Sequence, residues 1–143
     1  MLTISHRGNV NGADQHLENN PEHIKNLLKS DIQVEIDVWF KDTLIMLGHD
    51  NPQYIVNNNF LKQNGLWCHA KNLEALHYMA ESDIKNYFWH QEDDYTLTSS
   101  GYIWTYPDKQ VASNSIIVDT RNDWKNKKYN CFGVCVDYLN IGV

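Results

Sequence analysis

The stretch from Gln33 to Phe40 constrains this chain more than any other. Val34, Ile36 and Val38 alternate with Glu35, Asp37 and Trp39, and side chains two apart on a strand share a face. One face is β-branched aliphatic and calls for burial. The opposite face then carries two acids side by side. If it also turns inward, the carboxylates repel, and one must take up a proton unless a cation compensates them. A divalent cation converts the pair into ligands. The alternative is an edge strand whose acidic face is solvated.

The rest of the chain alternates apolar runs with helical patterns. Leu2 to His6 reads as a short strand that runs into a Gly- and Asn-rich loop. Asn20-Pro21-Glu22 reads as an N-cap, a proline at the first helical position and an acid in the first turn, with Ile24, Leu27 and Leu28 forming an apolar stripe to about Ser30. Thr43 to Leu47 is another apolar run, delivering Gly48-His49-Asp50. Leu66 to Ala70 is a strand, and Asn72 caps a helix carrying Leu73, Leu76, Met79 and Ala80. Tyr87 to His90 is a strand. Tyr95 to Thr98 and Tyr102 to Thr105 flank Ser99-Ser100-Gly101 as a hairpin. Ser115 to Val118 and Gly133 to Val136 are the last β-branched runs, with a short helix around Asn122 to Lys127.

Strands alternating with helices predict a parallel sheet with crossover connections. Eight β/α units take about 250 residues, and this chain has 143. The expected fold is therefore α/β: a compacted, trimmed TIM-type (β/α) barrel with a reduced number of helices, one domain over residues 1–143. His6, Glu35, Asp37, His49, His69, His90, Asp119 and Asp137 lie along or just after the apolar runs. In such a barrel the C-terminal strand ends open on one face, so these side chains can converge. Trp39, Trp67, Trp89 and Trp104 are expected to fill the barrel or its rim, and His16, His23 and His77 to be surface or helix-face residues without a chemical role.

Charge and composition narrow the partners. The net charge is −6, and the 12 Lys and Arg are dispersed apart from Lys125-Asn126-Lys127-Lys128. That argues against a nucleic-acid surface. No apolar run approaches the roughly 20 residues of a membrane span. The start, Met1-Leu2-Thr3-Ile4-Ser5-His6, lacks the basic and apolar regions of a signal peptide. Cysteine is odd in number, and Cys131 and Cys135 stand about 13 Å apart if the strand is extended, too far to bridge. The expectation is a cytoplasmic protein with reduced thiols and no membrane insertion. Strand backs left uncovered by missing helices would favour a homodimer.

His6-Arg7-Gly8, Glu18-Asn19, Glu35-x-Asp37 and His49-Asp50 stand in order over residues 3–50. This set resembles the N-terminal signature of the glycerophosphodiester phosphodiesterases, of the phospholipase C-like phosphodiesterase superfamily, and marks the chain as a shortened member. Trp67-Cys68-His69-Ala70-Lys71 stands where that family has a strand with Glu-x-Lys, so His69 replaces its third metal-binding Glu. Gly133-Val134-Cys135-Val136-Asp137 resembles the family's closing strand, which implies a compacted barrel and not a fragment.

The resemblance implies metal-dependent hydrolysis of a small glycerophosphodiester-like substrate, a reaction of lipid metabolism. His6 and His49 would share general acid and base duties, and Arg7 would clamp the phosphate. Glu35 and Asp37 would hold the metal with His69 as third ligand. Mg²⁺ or Ca²⁺ is the default, while a nitrogen and oxygen set tolerates Mn²⁺ or Zn²⁺ better than an all-oxygen one. Lys71 either balances phosphate charge or snorkels to the surface. Glu18 either serves metal and substrate or organises the loop before the helix. Two rival readings stay open: a lyase that forms a cyclic phosphate, and a non-catalytic barrel that binds a phosphate or sugar ligand.

Overall fold

Ten strands and three short α-helices follow one another in the computed structural model, which describes residues 1–140. The last three residues of the expected domain lie outside the described residues. β1 (Leu2–His6) leads to α1 (Pro21–Lys29), where the Asn20 side chain accepts the Glu22 and His23 amides and Pro21 opens the first turn. β2 (Gln33–Lys41) turns at Asp42 and Thr43, with φ of 52° and 65°, into antiparallel β3 (Leu44–Leu47) and then β4 (Tyr54–Val56). After α2 (Asn58–Leu61) come β5 (Leu66–Ala70), α3 (Leu73–Glu81) and β6 (Tyr87–Trp89). The Asn72 side chain caps α3 by accepting the Ala75 amide. β7 (Tyr95–Leu97), β8 (Ile103–Thr105), β9 (Ser115–Asp119), a 3₁₀ turn at Trp124–Lys127 and β10 (Gly133–Val136) complete the order.

The strands form a curled mixed sheet, a half-barrel, and this corrects the expected trimmed TIM-type (β/α) barrel. β6, β5, β2, β1, β10, β9 and β8 pair in that order and all parallel, whereas β3, β4 and β7 are added antiparallel. The cause of the difference is the connections. A two-residue turn after β2 can only send the chain back antiparallel, because a parallel return needs a crossover of a dozen or more residues. Later links use an antiparallel strand, an irregular loop and a single 3₁₀ turn in place of crossover helices. Strand dominates, and only α1 and α3 reach nine residues.

β2 organises the sheet. Val34 pairs with Ser5 on one edge and Leu66 on the other, while Val38 pairs with Leu47 and Ala70. β1 therefore covers the start of one edge, and β3 takes over that edge beyond it. Ile24 and Leu27 of α1 and Ala75 and Met79 of α3 pack on the aliphatic face of β2 and on Leu66, Cys68 and Ala70. The concave face holds a second cluster of Ile4, Trp67, Phe88, Trp104, Ile116 and Cys135. Trp124, brought by the 3₁₀ turn, packs with Ile117, Val134, Val136 and Leu139 where a crossover helix was expected. Trp89 does not fill the interior: Phe88 takes the inward position and Trp89 is exposed. Among the described residues no helix is long and apolar enough to cross a membrane, and all three cysteines are free thiols.

Asp119 turns away from the concave face and ties down the end of β9. Its carboxylate accepts from the Arg121 backbone and guanidinium, at 2.9 to 3.1 Å, and from the Tyr129 hydroxyl at 2.6 Å. Burial alone would raise its pKa, but these donors outweigh it and hold the carboxyl below its usual value. Asp119→Ala should destabilise the fold by about 1–3 kcal/mol, because it removes the hydrogen bonds that Arg121 and Tyr129 make to a buried carboxylate. A folded-state pKa below the unfolded one gives stability that is present at neutral pH and lost on acidification. In urea titrations, the gap between wild type and variant should therefore shrink as pH falls below about 4.

Candidate functional site

Register brings the polar residues together. Across parallel pairs, His6 lies beside Glu35 and Asp37 beside His69. Ser5 pairs with Val136, which sets the next residues, His6 and Asp137, side by side. The five side chains meet at the C-terminal ends of β1 and β5, in the middle of β2 and just past β10. All but Asp137 border a cavity of about 780 Å³, whose lining includes His6, Arg7, Glu35, Asp37, His49, His69 and Lys71. Its opposite wall comes from His90 to Asp93 and from Trp104, Tyr106, Pro107 and Val118.

Glu35 and Asp37 are 2% and 1% exposed, so their acidic face is interior and the solvated-edge alternative is ruled out. His69 Nδ1 stands 3.4 Å from Asp37 Oδ1 and 3.6 Å from Glu35 Oε2. Burial would push His69 down, but the two carboxylates outweigh it and raise its pKa to about 9. Burial would likewise raise Asp37, yet His69, Arg7 and Asn19 hold its carboxyl well below the usual range.

These three residues fit a cation. Each offers one donor atom, and the donors lie within 4.8 Å of one another. Glu35 Oε1 and Asp37 Oδ1 are buried without a hydrogen-bond partner, a costly state for carboxylate oxygens unless something positive meets them. Two donors on one ion, at bonds of about 2.1 Å, stand roughly 3.0–3.4 Å apart, close to the spacing of His69 from Asp37.

Arg7 sits over the acids in the left-handed region, at φ 62°, with its Nε 3.5 Å from Asp37 Oδ2 and its Nη1 3.6 Å from Glu18 Oε2. His6 Nδ1 is 2.8 Å from Asp137 Oδ1, and its Nε2 is 3.9 Å from Glu35 Oε1. Burial lowers the His6 pKa, but the Asp137 hydrogen bond and the Glu35 charge outweigh it and the net shift is upward.

His49 stands more exposed at the rim, with Nδ1 2.8 Å from Asp50 Oδ1. Its loop is held close to β2 by the Trp39 indole, which donates to the Gly48 carbonyl at 2.7 Å. Gly48 is required there, since a Cβ would stand 1.9 Å from the Asn51 carbonyl oxygen.

Glu18 is not among the cavity-lining residues; its carboxylate meets Arg7 and accepts from Asn9 at 2.9 Å, a loop-organising role. Lys71 lines the cavity. Three further residues hold the site together; of these Asn9 carries no chemical flag in the sequence, whereas Asn19 belongs to the Glu18-Asn19 step and Asp137 stands at a strand end. Asn19, fully buried at φ 58°, donates to Asp37 Oδ2 at 3.0 Å and accepts the Asp37 amide at 2.9 Å. Asn9 donates to both Glu18 and Asp137. Asp137 orients His6. The signals available were adjacency: Asn19 follows Glu18, Asn9 follows His-Arg-Gly, and Asp137 closes the last strand. His23, on a face of α1, donates to the Gly8 carbonyl at 2.7 Å.

Comparison with protein-family models, with curated proteins and with solved structures finds no match for this chain. The resemblance to the glycerophosphodiester phosphodiesterases therefore rests on the order and spacing of the motifs, and the functional reading rests on the site geometry.

Asn19→Ala would leave the Asp37 amide and one carboxylate oxygen without their partner. It should cost roughly 2–3 kcal/mol in chemical denaturation, the scale of an orphaned buried polar group.

Proposed function

We propose that the chain is a metal-dependent phosphodiesterase that acts on a small phosphodiester of the glycerophosphodiester kind. The observation that carries this reading is the meeting of His6, Arg7, Glu35, Asp37, His49, His69 and Lys71 around one cavity, from four separate chain segments. A phosphodiester is anionic and repels nucleophiles, so its hydrolysis needs positive charge on the phosphoryl oxygens. Arg7 and Lys71 would supply part of it, Arg7 through its forked donors. A divalent cation held by Glu35, Asp37 and His69 would, when bound, polarise the phosphoryl group and offset charge that develops in the transition state.

The two proton-transfer histidines are built alike. Each has Nδ1 bonded to a carboxylate, Asp137 for His6 and Asp50 for His49. That partner fixes the ring and leaves Nε2 as the atom that takes or gives the proton. Between them they would activate the attacking oxygen and protonate the leaving alkoxide. The cavity volume is in the range of small-molecule sites.

The test is hydrolysis of an aryl phosphodiester and of a glycerophosphodiester, with phosphorus NMR separating open-chain from cyclic product. Turnover should vanish in EDTA and return with divalent cation. His6→Ala should lower kcat by about 10²–10⁴-fold, the scale of a lost general acid or base, with an unchanged circular dichroism spectrum. Turnover that is indifferent to EDTA, or equal in His6→Ala, would contradict the reading.

A further inference from the structure

We infer that the cation of this site is a first-row transition ion of the Mn²⁺ to Zn²⁺ series, selected against Mg²⁺ and Ca²⁺ by the His69 imidazole. The inference rests on the metal-binding reading above and goes further by naming the class of ion. Two carboxylate oxygens are common to sites for every divalent cation, so the third donor decides.

The structure specifies which atom of His69 is that donor. Nε2 lies 2.7 Å from the His90 carbonyl oxygen, which can only accept, so Nε2 carries the proton. In the neutral ring Nδ1 is then the lone-pair atom, and Nδ1 is the nitrogen that faces Asp37 and Glu35. A backbone carbonyl in this position is the usual device for fixing a metal-binding imidazole. The ring is also held in place by stacking on Phe88, at 5.0 Å between centroids and 11° between planes.

The donor type points the same way. Asp37 Oδ2 is engaged by Asn19 and faces Arg7, so one Asp37 oxygen, the Glu35 carboxylate and His69 Nδ1 remain for the ion. Ca²⁺ takes six to eight oxygens, and Mg²⁺ prefers an all-oxygen octahedron. An imidazole nitrogen with two carboxylates suits the borderline ions instead. A protonated His69 acting as a built-in counter-ion is the competing arrangement. The two carboxylates favour that form while no ion is bound, but its contacts of 3.4 and 3.6 Å exceed the roughly 2.7–2.9 Å of a charge-assisted bond and leave Nδ1 open to an ion that displaces the proton. That form also leaves Glu35 Oε1 without a partner.

Calorimetric titration of the cation-free full chain with Mn²⁺, Zn²⁺, Mg²⁺ and Ca²⁺ tests this, in wild type and His69→Glu. Most sites favour Zn²⁺ over Mn²⁺, so the diagnostic quantity is how the Mn²⁺ to Mg²⁺ affinity ratio changes with the substitution. It should fall by about tenfold or more when oxygen replaces nitrogen. Electron spin-echo modulation of bound Mn²⁺ should show a directly coordinated nitrogen in wild type and none in His69→Glu. Should that variant fail to fold, the wild-type nitrogen signal alone decides. Mn²⁺ bound without nitrogen coupling, or a ratio that the substitution leaves unchanged, overturns the inference while the phosphodiesterase reading stands. Absence of binding by any of the four ions overturns both.

Discussion

Two carboxylates buried side by side on one strand are the constraint around which this protein is arranged. Glu35 and Asp37 cannot be turned to solvent, because the opposite face of β2 carries Val34, Ile36 and Val38 of the core. A register slip of one residue would exchange the two faces and expose that core. The like charges must therefore be met from within. The chain does so with residues from three directions: His69 from the neighbouring strand, Arg7 from the turn after β1, and Asn19 from the loop before α1. Arg7 and Asn19 both adopt left-handed backbone, a conformation that asparagine tolerates and that is uncommon for arginine. The local strain is consistent with a turn shaped by the site and not by its own preferences.

The half-barrel shows how little of a helical outer layer such a site needs. What converges the side chains is parallel pairing in register, which sets His6 against Glu35 and Asp37 against His69 whatever lies outside. α1 and α3 cover the aliphatic face near β2. Elsewhere Trp124 from a 3₁₀ turn does the covering together with Leu139 and the half-buried Val111, Tyr129 and Tyr138. The β2–β3 hairpin adds a second service: it carries the His49 loop along the edge of β2 just beyond the point where β1 ends.

How much of this could be read from the chain depends on whether the information is local. The caps of α1 and α3, at Asn20 and Asn72, and the alternation of β2 are local and were legible. The direction of β3 was not. It is set by the Asp42-Thr43 turn, which has the positive φ of a hairpin without the Asn-Gly signature that usually announces one. α2 spans four residues, too few to show a period. These short connections are why a helix-alternating barrel was expected and a strand-rich sheet is found. In the site, residues at strand ends were legible because strand register aligns them. Asn9 was not, nor was the tie between Asn19 and Asp37, since such roles exist only once distant segments meet.

A crystal of the protein soaked in Mn²⁺ and measured for anomalous scattering tests the central claim most directly. The account predicts one strong peak at bonding distance from Glu35, Asp37 and His69 Nδ1 together, facing the cavity. A peak elsewhere, or no peak with His69 Nδ1 still standing free between the two acids, would contradict it.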